Sequence, residues 1–231
     1  MSKKFTAYNL IIKTKLMKTK SLVTIAAILL TGIVYAQNKT TFGVRAGVNF
    51  QNLTGKDAED NDLDNKLKTG FNAGVNAEIP VGIDFYLQPG VLFSTKGAKY
   101  ENSDDKINLS YIEVPVNFIY KPELGTGRLI LGFGPYAAFA VNGKYKPENG
   151  NDIDIKFENE ISAQQLLTGL YLKRFDAGAN ILFGYEWANR FSAQLNAGLG
   201  LVNIVPKVEG TNTDATTKNT GFGVSLGYRF Q

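Results

Sequence analysis

Residues 221–230 read GFGVSLGYRF, and this stretch near the C-terminus decides the fold class. Large apolar side chains alternate strictly with small or polar ones along it. The large apolar residues are Phe222, Val224, Leu226, Tyr228 and Phe230. Because successive side chains of a β-strand point to opposite faces, this period of two predicts a strand with one apolar face and one small or polar face.

Seven further segments share the alternation. They lie near residues 40–52, 68–79, 84–98, 111–120, 128–142, 172–187 and 190–204. No sustained helical period interrupts them. The chain therefore predicts an all-β domain of eight strands, and an even number of strands is typical of an antiparallel membrane barrel.

The predicted connections alternate between long and short. The long ones fall near residues 53–66, 99–107, 143–170 and 205–218, and the short ones near 80–83, 122–127 and 187–190. Outer-membrane barrels combine tight periplasmic turns with longer outer loops in this way. A soluble barrel of lipocalin type, with its apolar face inside, is the alternative.

Two features of the strands favour the membrane arrangement. The non-apolar face carries many of the 24 glycines, which suit the narrow interior of a small barrel. Aromatic residues lie toward the strand ends, as an interfacial girdle requires. We therefore predict an all-β fold: an eight-stranded antiparallel up-and-down transmembrane β-barrel, preceded by a cleavable signal peptide.

The N-terminal 36 residues differ from the rest of the chain. Lys18 and Lys20 precede an apolar run over residues 22–35, and Val34 and Ala36 offer small side chains for cleavage before Gln37. This pattern is typical of a secretory signal peptide. We assign residues 1–36 to an N-terminal extension and signal peptide, with Met17 as an alternative start, and residues 37–231 to the barrel domain. A retained anchor helix is the alternative.

The positive charge of the precursor comes from its leader. Residues 1–36 hold six lysines and no acid, so the remainder has 19 basic and 21 acidic residues, a net charge of −2. A chain without an excess of basic residues gives no support to nucleic-acid binding. We therefore expect no nucleic-acid partner.

Residues 111–120, YIEVPVNFIY, contain two residues that are unusual within a strand, Glu113 and Pro115. A soluble strand rarely buries an unpaired carboxylate, and a central strand rarely carries proline. In a membrane barrel both residues would face the lumen, where Glu113 could meet cations. A closed barrel has no edge that tolerates a missing N–H, so we expect a bulge or bend at Pro115.

Residues 111–121, YIEVPVNFIYK, resemble the Y-x-E-[IV]-P signature strand of the PorT-like outer-membrane β-barrel proteins. Residues 132–144, 175–187 and 221–230 are similar to later segments of that family, and the resemblance covers roughly residues 37–231. It implies an eight-stranded barrel in the outer membrane of Gram-negative bacteria. Most members have no assigned activity. One branch assists a protein-secretion and gliding system, and no catalytic residue is carried over.

Ionisable residues on the predicted inner face form the candidate site, a lumenal polar network. They are Arg45, Glu78, Glu113, Arg174, Asp176, Glu186 and Arg229. Buried charges must pair, so a salt-bridge network that fills the barrel is the favoured interpretation, and a proton or ion path is the alternative. We predict that Glu113 pairs with Arg45, Arg174 or Arg229, whereas Lys96 and Arg128 lie near the strand ends.

Several other functions are disfavoured. The chain has no His and no Cys, so the commonest general base and the thiol nucleophile are missing, and we predict no enzyme, catalytic residue or cofactor. An eight-stranded barrel is filled by side chains, which argues against an open porin-like channel. Asp60, Asp62 and Asp64 have alternate spacing but lack the Gly and Glu of an EF-hand loop, so no metal site is predicted.

The function predicted from these observations is that of a non-enzymatic outer-membrane scaffold. Its surface loops would contact a partner or ligand, and residues 143–170 are the best recognition candidate because function concentrates on loops. The expected partners are outer-membrane lipid and other envelope or secretion proteins. An accessory role in secretion or transport and a soluble periplasmic ligand-binding barrel are the alternatives.

Overall fold

The computed structural model describes residues 40–210 and 215–230, and the predicted signal peptide lies outside them. Eight long strands account for most of this part of the chain. They are β1 (Thr41–Lys56), β2 (Lys68–Gly82), β3 (Phe85–Tyr100), β4 (Lys106–Tyr120), β5 (Gly127–Lys146), β6 (Phe175–Glu186), β7 (Phe191–Gly200) and β8 (Thr216–Arg229).

The eight strands close into a barrel. Each strand pairs antiparallel with the next one along the chain. The last strand returns to the first, from Gly43 opposite Arg229 to Lys56 opposite Thr216. A closed sheet has no unpaired edge, so every strand contributes to a continuous ladder. The predicted eight-stranded antiparallel barrel is confirmed.

The two faces of the barrel are inverted relative to a soluble protein. Phe133, Ile181 and Leu226 are 63–65% exposed on the outer face, whereas Asn117 and Ser225 on the inner face are 1% exposed. An apolar exterior around a polar interior is the arrangement of a transmembrane barrel and not that of a lipocalin. The alternation therefore predicted both faces in the correct sense.

Short elements decorate the two ends of the barrel. They are the strands Asn65–Lys66, Glu123–Leu124, Ile153–Phe157, Glu160–Ile161, Leu170–Leu172 and Lys207–Val208, and the helix Ala163–Leu166. The end with connections 83–84, 121–126 and 187–190 is called the turn end, and the opposite end is called the loop end. Across 40–210 and 215–230, the helical segments are too short to cross a membrane.

The connection between β3 and β4 is shorter than predicted. It comprises residues 101–105, whereas the sequence pattern predicted a loop near residues 99–107. The reason is that the two strands stay paired beyond their apolar section, as far as Lys99 opposite Lys106. At the start of β4, Ile107 and Leu109 alternate with polar residues but face the lumen, opposite to the outward apolar series from Ile112, so the outward pattern does not reveal this part of the strand.

The ladder passes Pro115 without a bulge, so the bulge, one of the two predicted alternatives, is wrong. Pro115 lies opposite Tyr136 of β5, and Phe118 opposite Phe133 keeps the same register. The register shift on this side falls between Ser110 and Tyr111, closer to the loop end. The ring of Pro115 is fully buried in the lumen, where it fills space beside β3 and β5.

Apolar side chains fill the lumen at the loop end. Leu53, Leu109 and Ala140 of the barrel wall form one cluster with Ile155 and Ile204 from the long connections. Ile204 has no exposed surface, and its backbone N–H donates to the carbonyl oxygen of Thr217. Residues 147–174 and 201–210 thus fold over the barrel and cap its loop end.

Candidate functional site

An ion triplet occupies the lumen toward the loop end. The Nζ of Lys96 lies 3.1 Å from Glu113 Oε2 and 3.2 Å from Asp176 Oδ2. All three side chains are buried, and Asp176 has no exposed surface. These residues, together with Tyr111, Tyr136 and Asn219, are called the loop-end cluster. At such burial, each charge depends on its partners because water does not solvate it.

The strand register explains why the two carboxylates share one lysine. Ala138 of β5 is opposite Glu113 of β4 on one side and opposite Asp176 of β6 on the other. The small Ala138 side chain leaves room above it for the ammonium group of Lys96, which arrives from β3. The same ammonium lies 4.3 Å from the centroid of the Tyr136 ring, a cation–π contact.

Neutral groups also bind one carboxylate oxygen of Asp176, whereas its other oxygen, Oδ1, is buried without a hydrogen-bond partner among the described residues. Asn219 Nδ2 donates to Asp176 Oδ2 at 3.0 Å, and Tyr136 Oη donates to the same oxygen at 3.3 Å. Asn219 Nδ2 also lies 3.4 Å from Tyr111 Oη. The cluster therefore joins β3, β4, β5, β6 and β8 through side chains that cross the lumen.

A second ion cluster lies toward the turn end. Glu78 accepts from Arg229 Nη2 at 2.7 Å, from Lys121 Nζ at 3.0 Å and from Gln88 Nε2 at 3.0 Å. Lys121 also donates to Glu186 Oε2 at 2.8 Å. Glu78, Lys121, Glu186 and Arg229 are called the turn-end cluster. Its two cations and two carboxylates balance, so the lumen carries no net charge at this level.

An apolar layer lies close above the turn-end cluster. Ile119, Ile130 and Leu182 pack together inside the barrel, and each is at most 3% exposed. Gly132 is opposite both Ile119 and Leu182, and a Cβ there would overlap the Ile119 side chain. The wall formed by β4, β5 and β6 thus has no space for a larger side chain at this position.

A small polar cavity remains beside the loop-end cluster. Its volume is about 70 Å³, and Arg45, Asn72, Asn180 and Asn196 line it with Lys96 and Glu113. Arg45 Nη1 donates to Asn196 Oδ1 at 3.5 Å. A space of this size has room for a few water molecules, which is far less than an aqueous channel needs.

The structure brings together most of the predicted site residues. Glu113 and Asp176 lie in the loop-end cluster, Glu78, Glu186 and Arg229 lie in the turn-end cluster, and Arg45 lines the cavity. Arg174 lies outside both clusters. The Arg174 side chain is exposed and donates to the carbonyl oxygen of Ala140. Because β6 begins only at Phe175, the alternation that points side chains into the lumen does not include Arg174.

The predicted partner of Glu113 is wrong. Glu113 pairs with Lys96, and Arg229, one of the proposed partners, pairs with Glu78. Arg45 attracts Glu113 only at longer range. The prediction failed because Lys96 was placed near a strand end, although it shares the inner face of β3 with Ser94 and is 5% exposed.

Sequence reasoning also missed Lys121. It follows the last residue of β4 and was not assigned to the lumen, yet it is 2% exposed and bridges two carboxylates. The signal was present in the sequence, since residues 111, 113, 115, 117 and 119 all face inward and Lys121 continues the series. Arg128, in contrast, lies near the turn end as predicted, where it donates to Tyr86 Oη at 2.9 Å.

The acidic loop residues carry no cluster suited to a metal ion. Among the residues that the structure describes, no three His, Cys, Asp or Glu side chains converge on one point. Asp60 instead pairs with Lys56 at 2.8 Å, and Asp57 accepts from the backbone N–H groups of Glu59 and Asn61. Asp57 and Asp60 therefore stabilise a turn.

Asp105 anchors the start of the 147–174 loop, and we expect this contact to break only in strong acid. The Tyr145 hydroxyl at 2.6 Å, and then the Glu148 N–H at 2.7 Å, hold the pKa of Asp105 below its usual value. A lowered pKa means that the carboxylate stabilises the loop above its unfolded pKa of about 3.9, and that this contribution is lost as the pH falls through the folded pKa.

The Glu148 amide resonance should therefore stay unchanged from pH 8 to pH 5 and shift only below about pH 4. Amide NMR spectra across this range would check the expectation. The Asp105→Asn variant serves as the control and should show no acid transition at Glu148. A transition centred above pH 5 would contradict the assigned role of Asp105.

Comparison with known proteins shows the family to which this chain belongs. A model of the outer membrane protein beta-barrel domain matches residues 35–205. Among solved structures, the chain is similar to Ail, the attachment invasion locus protein of Yersinia pestis, in complex with the heparin analogue sucrose octasulfate (14% identity, 83% of this chain and 99% of that chain, TM-score 0.41). It is also similar to a major outer membrane protein from Thermus thermophilus (15% identity, 83% and 99%, TM-score 0.43).

A search of curated proteins finds no match to this chain. The family model nevertheless spans most of the chain and most of the barrel, from before β1 to beyond β7. The closed eight-stranded architecture with an apolar exterior agrees with that match. The chain belongs to the outer membrane protein beta-barrel domain family.

Proposed function

We propose that this outer-membrane barrel is a non-enzymatic scaffold whose folded loops contact a protein or surface ligand outside the cell. In such barrels the short turns face the periplasm and the longer loops face outward, so the loop end lies on the cell surface. The filled lumen supports this assignment, because it leaves the loop end as the surface available for recognition.

The observation that carries the proposal is an apolar patch on the 147–174 loop. Leu166, Leu167 and Leu170 are 57%, 86% and 41% exposed. Ser162 and Gln165 form a capping box that stabilises the short helix Ala163–Leu166, which carries the first of these leucines and precedes the other two in the chain. Adjacent exposed leucines on an ordered loop are typical of a protein contact surface.

The chemistry of the lumen supports a non-enzymatic role. The buried carboxylates Glu78, Glu113 and Asp176 are each engaged by a cation. A general base needs a free lone pair beside a substrate, and the cavity of about 70 Å³ beside Glu113 has room for water but not for a larger substrate. The sequence also contains no His or Cys that could act as base or nucleophile.

A role as an accessory of a secretion or transport system is the second candidate. It rests on the PorT-like strand, in which Tyr111, Glu113 and Pro115 all lie buried in the lumen. In this proposal residues 1–36 act as the signal peptide for export. The partner would then be another envelope protein, and the leucine patch is the surface on which we place it.

Photocrosslinking in intact cells tests the proposal. A crosslinker at Thr168, between the exposed leucines, should give a discrete adduct with an envelope protein or surface ligand. The Leu166→Asp/Leu167→Asp variant should lose most of the adduct, because two charges interrupt the apolar patch. Leu124→Asp, at a residue 55% exposed at the turn end, is the matched control and should keep it. An adduct that survives in the double variant would refute the patch as the contact surface.

A further inference from the structure

Four lysines lie in one row across the outer wall at the loop end. Lys66 is opposite Lys99, Lys99 is opposite Lys106, and Lys106 is opposite Lys146 in the strand register. Directly opposite side chains point to the same face of a sheet, about 4.5–5.5 Å apart at Cβ. Like charges at this spacing destabilise a sheet, so the row does not serve the stability of the barrel. A ligand that binds the row would account for it.

The row faces outward and not into the lumen. On β4, the outer face runs through Ile112 and Ser110 to Lys106, which is exposed. On β3, it runs through Phe93 and Thr95 to Lys99. The lysines therefore stand directly above the apolar band that meets the membrane.

Carboxylates from the loops neutralise only part of this charge. Glu101 pairs with Lys66 at 3.1 Å, Asp104 pairs with Lys99, and Asp152 lies 3.0 Å from Lys146 and 3.8 Å from Lys144. Asp154 lies opposite Lys144 in the strand register. Lys106 forms no ion pair with any described residue, whereas Lys66, Lys99 and Lys146 each form one. The row thus has more lysines than paired carboxylates, and the excess is centred on Lys106.

A cleft of about 360 Å³ lies beside the row and joins the charged level to the apolar level. Lys144, Lys146 and Lys68 line its upper part, Thr95 and Asn142 line the middle, and Phe71 lies at its lower border. Phe71 is 52% exposed on the outer wall. A ligand that fills this cleft would thus meet cations, then hydrogen-bonding groups, then an apolar surface.

We propose that the lysine row, with Lys144, binds the phosphate groups of a phosphorylated glycolipid of the outer leaflet. Ammonium groups are compact point charges that pair well with phosphate. Basic residues at the level of lipid headgroups add to membrane attraction. The acyl chains of the same lipid would lie against Phe71 and Phe93, whose ring centroids are 5.6 Å apart on β2 and β3.

The opposite wall provides a comparison within the same molecule. Lys56 of β1 and Lys218 of β8 also lie outside at the loop end, but their opposite residues are Thr216 and Thr54. The lysines there alternate with hydroxyl groups, and no row of like charges forms across the described part of that wall. A general attraction of cations to the membrane would act on both walls, whereas a built site acts on one.

Binding of a bisphosphorylated glycolipid of lipid A type to the full-length barrel in neutral detergent tests the proposal. Lys106→Gln/Lys146→Gln should raise the dissociation constant roughly tenfold, since each lysine near a lipid headgroup contributes modestly. The matched control Lys56→Gln/Lys218→Gln should change it less than twofold. The dephosphorylated glycolipid should bind the unaltered protein as weakly as the phosphorylated lipid binds the row variant.

Other outcomes would overturn the proposal. Equal binding of the two lipids would show that phosphate is not recognised, and equal effects of the two double variants would show a diffuse attraction. Binding of a soluble sulfated oligosaccharide together with no binding of the lipid would place a surface polymer on the row. The row variant must show the heat-modifiable mobility of a folded barrel. If it does not, the salt dependence of lipid binding to the unaltered protein tests the proposal instead. Lipid binding that about 0.5 M salt does not weaken would contradict a lysine–phosphate site.

Discussion

Replacing Lys96 by Gln should lower the free energy of unfolding of the barrel by about 3–5 kcal/mol. Lys96 is the cation that Glu113 and Asp176 share, at 3.1 and 3.2 Å. The glutamine side chain is shorter and uncharged, so both carboxylates would remain buried without a counter-charge. Removing one partner from a buried ion cluster costs more than the cluster itself contributes, because desolvation of the remaining charges is not offset.

Urea-dependent unfolding in lipid vesicles, followed through the fluorescence of the single tryptophan, Trp187, would measure this loss. Lys106→Gln is the matched control. The same substitution on the exposed outer wall should change the stability by no more than about 0.5 kcal/mol. The double variant Lys96→Gln/Asp176→Asn should recover part of the loss, since it removes one of the two uncompensated charges. Unchanged stability of Lys96→Gln would show that the triplet does not hold the lumen together.

The second large effect is expected for Gly134→Ala. Gly134 faces the lumen on β5, and a Cβ built there overlaps the carbonyl oxygen of Val116 on β4. A backbone oxygen within a paired strand cannot move aside as the end of a side chain can. We therefore expect β4 and β5 to separate locally, at a cost at or above the usual range of about 1–3 kcal/mol for overpacking.

Gly198→Ala is the control for this prediction. Gly198 is also a lumenal strand glycine, but its nearest neighbour would be Asn180 Oδ1 at 3.2 Å, which can rotate into the adjoining cavity. The heat-modifiable mobility and the urea midpoint should fall for Gly134→Ala and stay nearly constant for Gly198→Ala. Equal losses of stability in both variants would mean that any lumenal strand glycine is needed, and that the close approach of Gly134 to Val116 is not the cause.

The faces of the strands could be predicted from sequence because they depend on local alternation. Phe222, Val224 and Leu226 point outward, as their spacing alone indicates. The same logic placed Glu113 in the lumen. It failed for Arg174, whose side chain lies just before the first residue of β6, where strand geometry no longer governs its direction.

The partners inside the lumen could not be predicted in the same way. Lys96 reaches Glu113 although the residue opposite Glu113 on β3 is Leu92, four positions away. Long side chains span such distances, and face parity does not say how far they extend along the barrel axis. The cap has the same difficulty, since Ile155 and Ile204 become buried only through contacts between separate connections.

The Glu78–Arg229 pair has a consequence for assembly. It links β2 to β8 across the seam where the first and last strands meet, and its two residues are 151 positions apart in the chain. Until that seam closes, Arg229 lacks Glu78 as its partner, and the charge of Arg229 would face an open sheet within the membrane, whereas Glu78 still has Lys121. Insertion should therefore proceed as one concerted event, with the last strand completing the ladder and the charge balance together.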